Sequence, residues 1–513
     1  MRIHRRRRAA LAGALAVALV APMAVAGPAE ARGHPLDEVF ARLLVKKVSG
    51  KNVHEHLRAF QAIADANGGN RPAGSPGYDA SRDYVANKLR RAGYKVQLQP
   101  INFVQDWSEN TPPVLEQRSP NAKTYTPGTD FVTFEPSPSG DVTAEVQGVD
   151  LTLPPTPEPS STSGCEAADF EGFVAGRIAL IQRGTCPFVN KVQNAKAAGA
   201  SGIIVFNEGQ PGRTDPSPLD IGEWRAGIPM VFSSFAVGDE LASTPGATVR
   251  LKVDSNLVLG TNHNVIAETR GGDSRNVVMV GAHLDGVPEG PGINDNGSGS
   301  AAILETALQM SKFPVRNKVR FAWWAAEEIG LLGSDQYVGS LSQTQRDRIR
   351  LYLNFDMVAS PNYAIKLYDG DDSDATGSPA GPPGSAQIEA QLERFYDRRG
   401  LGHVGTDFDG RSDYGPFIAI GIPAGGVFTG AETFKTPAEA ALFGGTAGVA
   451  YDVCYHQACD GLANVNRTAL DVNSDAIADS TARYAFTTKG IPSRKSTLAA
   501  RTTGAAAGTH AAR

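Results

Sequence analysis

The chain has 513 residues, enough for more than one domain, and 41% of them are hydrophobic, enough for a large core. A formal net charge of −5 and a pI near 6.0 give none of the basic surface that nucleic acid requires. Residues 1–26 read as a secretory signal. Arg2 and Arg5 to Arg8 form a basic n-region, Ala9 to Val20 an apolar h-region, and Ala24-Val25-Ala26 an A-x-A cleavage site, with Ala29-Glu30-Ala31 as a second candidate. The apolar run is too short for a membrane span, so a secreted, extracellular protein with no membrane partner is expected. Loss of this segment removes five arginines and takes the net charge from −5 to −10.

In chain order, Leu36 to Val48 and Asn52 to Asn67 read as helices, the second from apolar residues at Val53, Leu57, Phe60, Ile63 and Ala64. Gly74-Ser75-Pro76-Gly77 reads as a turn, Ser81 to Ala92 as a helix capped by Gly93, and Tyr94 to Ile101 as a strand. From about Trp107 the composition shifts to Pro, Ser, Thr and Gly. Within this stretch Thr143 to Leu153 alternates, Arg177 to Ile181 and Gly202 to Phe206 are buried-strand runs, and Phe188 to Ala198 is helical. Residues 106–255 therefore read as a small β-rich domain inserted into a main domain formed by 35–105 and 256–487. Further on, Gly370 to Ser385 and Gly425 to Gly430 read as loops, and Gln387 to Arg399 and Ala469 to Thr487 as helices. Residues 488–513, rich in Ala, Thr and Gly, read as a disordered tail.

The chain has four cysteines, Cys165, Cys186, Cys454 and Cys459, and in an exported protein they are expected as disulfides. Four cysteines allow three pairings; joining sequence neighbours gives Cys165–Cys186 and Cys454–Cys459. The thiols lack the short paired spacing of a zinc site.

Candidate chemistry concentrates between Asn276 and Asp356. Val277 to Ala282 ends in His283-Leu284-Asp285, Val319 to Ala326 ends in Glu327-Glu328, and Leu351 to Phe355 ends in Asp356. Each run is short, apolar and bounded by polar residues, as in strands buried on both faces of a mostly parallel sheet flanked by helices. The carboxyl edge of such a sheet is where ligands bind. Asp295 lies in the Gly-rich turn Gly290 to Ser300, ahead of a helix from Ala301 to Lys312. A lone His is usually structural and a lone Glu-Glu pair usually solvated, but imidazole and carboxylates at three successive strand ends suit a metal-dependent hydrolase. Adjacent Glu327 and Glu328 point apart, so one can bind metal while the other stays free as a base. Asp285 could orient the His283 imidazole.

Five separated blocks resemble the secreted two-zinc aminopeptidases of the aminopeptidase Y family. They are Ala282 to Asp285, Gly292 to Gly299, Phe321 to Glu328, Asn354 to Met357 and Cys454 to Cys459. The resemblance implies a zinc exopeptidase fold with two zinc ions, one held by His283 and Asp356, the other by Glu328 and His456, with Asp295 bridging. It implies Glu327 as general base and Tyr455 as stabiliser of the oxyanion. It also implies Arg411 and Asp413 in a substrate-proximal loop and Phe428 as a wall of a pocket for an apolar N-terminal side chain. Relatives often bind calcium near the last helix; Asp471 and Asp475 match that pattern, but Lys47 stands where an acid is expected. Arg183 to Phe188 and Ala197 to Ala200 resemble the protease-associated domain, which implies a lid or specificity module. The expected substrates are peptides with a free N-terminus, cut by a monomer. A carboxypeptidase, a glutaminyl cyclase or a non-catalytic receptor on the same scaffold are the competing readings; the complete ligand set with Glu327 argues against the last.

Overall fold

The computed structural model describes residues 35–217, 225 and 227–492; the expected signal peptide and all but the first residues of the expected tail lie outside the described residues. In chain order the strands are β1 Lys95–Ser119, β2 Lys123–Thr124, β3 Phe131–Thr133, β4 Gly140–Val149, β5 Ile178–Gln182, β6 Gly202–Phe206 and β7 Met230–Ser233. They continue with β8 Thr248–Glu268, β9 Asp273–His283, β10 Asn317–Trp324, β11 Ile349–Phe355, β12 Lys366–Tyr368, β13 Val404–Thr406 and β14 Ala424–Phe428.

At the centre lies β9, with β10 and β11 parallel to it on either side and β14 parallel to β11 beyond. Four strands therefore deliver their carboxyl ends to one edge. Both faces of β9 are covered. Val278, Val280 and Ala282 pack into one core with Leu57, Phe60, Ile303 and Leu470, while Val277 and Met279 pack into another with Trp324, Tyr352 and Phe417. This period-two division is why the run reads as continuously apolar. The first face is layered by the helices Gly50–Ala66, Pro76–Ala92, Gly299–Met310 and Arg467–Phe486.

The mixed, mostly parallel α/β sheet is as expected, with differences at several boundaries. Ser75 caps the helix Pro76–Ala92 by accepting from Tyr78 N–H, and Pro76 enters its first turn, so half of the expected Gly74–Gly77 turn is helix. Gly93 closes that helix in the left-handed region, as expected. The expected loop at Gly425 is strand β14, read as loop because its Gly-Gly start carries no strand propensity. Gly426 lies so close to β11 that an added Cβ would fall 1.8 Å from the Asn354 carbonyl.

The largest difference is at the expected domain boundaries. β1 runs on for 25 residues and pairs antiparallel with β8 from Lys95↔Glu268 to Ser119↔Thr248. Residues 105/106 and 255/256 lie inside this ribbon. At one end β8 pairs with β10, and at the other with β4, which leads through β5, β6 and β7 to β3. The composition change near Trp107 marks solvent exposure along the ribbon rather than a linker.

Ile303 is fully buried in the helix that begins just after Asp295. Ile303→Ala is expected to cost about 2–5 kcal/mol by transfer and cavity terms. Urea unfolding should show a lower midpoint with an unchanged slope.

Candidate metal centre

His283 ends β9, Glu327 and Glu328 follow β10, and Asp356 follows β11. Asp295 enters from the turn ahead of the helix Gly299–Met310, and His456 from the loop closed by Cys454–Cys459. His283 Nε2 lies 3.2 Å from Asp356 Oδ1 and 3.3 Å from Asp295 Oδ1. His456 Nε2 lies 3.3 Å from Asp295 Oδ2 and 3.0 Å from Glu328 Oε2. Asp295 thus presents one oxygen to each imidazole. All five expected ligands are brought together in one cluster.

These contacts suit metal ions better than they suit each other. His456 Nε2 and Glu328 Oε1 are shielded from solvent yet make no hydrogen bond of good geometry. Two overlapping sets, His283/Glu327/Asp356 and His283/Asp295/Glu328, each place their donor atoms within 4.8 Å of one another. Glu327 stands farther from its nearest imidazole than the other carboxylates do from theirs, 3.9 Å from His283 Nε2. Burial, together with Asp356 and Glu328, pushes Glu327 well above the usual carboxylate range. Burial and Asp295 push Glu328 up to about 7. Burial alone would hold His283 neutral, but Asp356 and Glu327 outweigh it and favour the imidazolium. Carboxylates this close repel unless cations join them, and nitrogen and oxygen donors of this kind are a zinc set.

Backbone strain marks the same place. His456, Met357 beside Asp356, and Ala326 beside Glu327 have φ of 54°, 46° and 58°. Left-handed non-Gly residues cost about 1–3 kcal/mol each and cluster at working sites.

A polar shell holds the donors. His283 Nδ1–H donates to the main-chain carbonyl of Asp285 at 3.1 Å, which leaves Nε2 facing the site. The Asp285 carboxylate was expected to do this, but it sits 3.8 Å away and instead accepts the N–H groups of Glu327, at 3.2 Å, and Glu328, at 3.4 Å. Asp285 therefore still acts on the site, by fixing the backbone of the two glutamates. Ser412 donates to Asp356 Oδ2 at 2.6 Å and ends a chain running from Trp324 through Tyr352 and Asn354. The Asp460 carboxylate accepts the N–H groups of Asn294 and Asp295 at 2.9 and 3.0 Å. Arg71, wholly buried, donates to three loop carbonyls beneath the site. Ser412, Asp460 and Arg71 are not among the site residues expected from the sequence. Asp460 carried a faint signal, following the disulfide loop directly; a lone Arg in a Gly/Asn-rich loop carried none.

A cavity of about 240 Å³ opens beside the donors, lined among others by Met357, Tyr368, Arg411, Phe428 and Tyr455. Arg411 and Phe428, expected at the substrate, are both in this lining. Asp413, between Ser412 and Tyr414 of the lining, is itself fully buried and is not part of the lining; burial pushes it up to about 8. Tyr455 stacks on the His456 ring at 3.8 Å and accepts from Arg411 Nη2 at 3.2 Å, and burial keeps its phenol protonated. Asp471 and Asp475 share the last helix, and each has a partner of its own. Asp471 accepts Gly50 N–H at 2.8 Å, and Asp475 is paired with Arg399 at 2.7 Å. Both expected disulfides are formed.

Residues 264–481 match peptidase family M28 and residues 146–241 match the PA domain. The chain is 49% identical over 450 residues to an aminopeptidase of Pseudomonas aeruginosa, covering 87% of this chain and 83% of the relative. The chain belongs to peptidase family M28. It is also 41% identical over 462 residues to leucine aminopeptidase 2 of Trichophyton tonsurans, covering 88% of each. Among solved structures, an aminopeptidase from Aneurinibacillus sp. strain AM-1 is similar at TM-score 0.51 and 27% identity, over 86% of this chain and 95% of that one. The M28 match spans all five motif blocks, and the PA match spans both blocks of the inserted segment.

In this M28 chain Ser412→Ala removes the hydrogen bond to Asp356 without opening a large cavity. Metal affinity should fall about 10–100-fold, as for other residues that orient ligands. Competition with a chelator of known affinity would measure it.

Proposed function

We propose that this M28 peptidase is a secreted, monomeric zinc aminopeptidase that removes large apolar residues from peptides with a free N-terminus. The observation that carries the reading is Asp295 set between His283 and His456, with Asp356 and Glu328 completing two half-sites. Two zinc ions, held by His283 and Asp356 and by His456 and Glu328 with Asp295 shared, would lower the pKa of water toward 7 and polarise the scissile carbonyl.

The chain's own groups supply the rest. Glu327 is the least engaged carboxylate, and its backbone is pinned by Asp285. It takes the proton from the attacking water as oxygen adds to the carbonyl carbon, then gives that proton to the leaving amine as the C–N bond breaks. Tyr455 has its oxygen occupied by Arg411 as an acceptor, so its own proton is free for the developing oxyanion. Met357, Tyr368 and Phe428 give the cavity an apolar wall, which supports an apolar side chain in it. The PA domain adjoins the helix Leu332–Ser340, just after Glu328, through Arg225 and Asp335 at 2.7 Å, consistent with a rim over the site. No described helix is long and apolar enough to cross a membrane, and the two disulfides favour export.

Glu327→Gln should lower kcat about 10²–10⁴-fold on leucine p-nitroanilide with zinc content unchanged. A chelator should abolish wild-type activity and zinc restore it. Equal cleavage of N-acetylated and free peptides would refute the aminopeptidase reading.

Calcium is not assigned, since Arg399 already neutralises Asp475. Millimolar calcium should leave the melting temperature unchanged, whereas stripping zinc should lower it by mass action.

A further inference from the structure

The segment before the PA domain supplies no metal donor, yet it sends one charged side chain under the site. Arg71 has no solvent exposure. Its Nη1 donates to Leu284 O at 2.6 Å, its Nε to Pro291 O at 2.8 Å and its Nη2 to Gly292 O at 2.5 Å. Its own carbonyl accepts Gly286 N–H at 3.4 Å, and its guanidinium lies 5.2 Å from the Phe60 ring centre.

These carbonyls belong to two different loops. Leu284 lies between His283 and Asp285, on the loop leaving β9. Pro291 and Gly292 lead into Asp295. Gly292 has φ of 60°, and a Cβ there would fall 2.5 Å from the Asp295 carbonyl and 3.3 Å from Arg71 Nη2, so the close approach needs glycine. From the other side Asp460 grips the N–H groups of Asn294 and Asp295. The Asp295 loop is thus held by a cation on its carbonyls and an anion on its amides.

We propose that Arg71 is a positioning residue that sets the separation of the two metal half-sites, by tying the His283 loop to the loop that carries Asp295. Three carbonyls engaged by three separate nitrogens need a planar fork; a lysine ammonium is a single point. Burial lowers the guanidinium only to about 10, so it remains a cation at neutral pH, faced by Asp285, Asp460 and Asp295. His283 is fixed by the sheet, and Asp295 depends on its loop. Loosening the tie therefore shifts the one oxygen pair that both half-sites share.

This inference rests on the two-zinc reading, and its test separates the two. Wild type, Arg71→Lys and Arg71→Gln would be purified, stripped, and titrated with zinc by calorimetry and with cobalt by visible absorption. Circular dichroism and thermal melting would check the fold. The lysine variant should stay folded, bind metal about 10–100-fold more weakly in at least one half-site, as other ligand-orienting changes do, and show a shifted cobalt spectrum. Its kcat should fall with KM near wild type. A folded lysine variant with wild-type metal affinities and cobalt spectrum would overturn the proposal. So would failure of both variants to fold in saturating zinc, which would make Arg71 a folding residue. A wild type that takes up no zinc would instead overturn the two-zinc reading beneath it.

Discussion

Four carboxylates and two imidazoles sharing one small space is the constraint on which the rest depends. Asp295, Glu327, Glu328 and Asp356 would drive one another apart in a flexible chain, and burial raises the cost of each charge. The protein tolerates this because every donor is fixed to something stiff. His283 ends β9, and Glu327, Glu328 and Asp356 sit just past β10 and β11, parallel strands whose two faces are packed. Asp295 and His456 come from loops, and these are the loops that are clamped, by Arg71, Asp460 and the Cys454–Cys459 disulfide.

The edge geometry follows from sheet topology. Parallel pairing of β9 with β10 and β11 puts three chain-distant ends side by side, and β14 brings Phe428 to the same edge. The PA domain joins this framework through a long antiparallel ribbon, not a flexible tether. Backbone hydrogen bonds along β1 and β8 link its position to the main sheet.

Polar groups beneath the site are satisfied in chains rather than singly. From Trp324 to Ser412 each donor has an acceptor, and the last hydrogen bond falls on Asp356. Such a network fixes the direction of a carboxylate lone pair, which a metal needs more than it needs proximity. The left-handed residues Ala326, Met357 and His456 sit at the same points, so local strain is held in place by the packing around it.

Much of this was legible in the chain itself. Apolar runs ending in ionisable residues located β9, β10 and β11, because a strand buried on both faces must be apolar throughout and can turn polar only at its end. The motif blocks named His283, Asp295, Glu328, Asp356, His456 and Glu327 together, and neighbour pairing named both disulfides. Other features depend on contacts between residues far apart in sequence. Arg71 reads as a solvated loop cation until it is seen under Leu284, Pro291 and Gly292, and Ser412 reads as a loop hydroxyl until Asp356 is beside it. Asp285 acts through its main chain on His283 and through its carboxylate on the glutamates, a division that spacing cannot reveal. Asp413 turns inward, Asp475 meets Arg399, and β14 forms from glycines because β11 is there to pair with. The sequence determined which groups could carry the chemistry, since side-chain type and periodicity are local properties. Tertiary structure decided which of them meet and what holds them, since those energies arise only when distant segments are brought together.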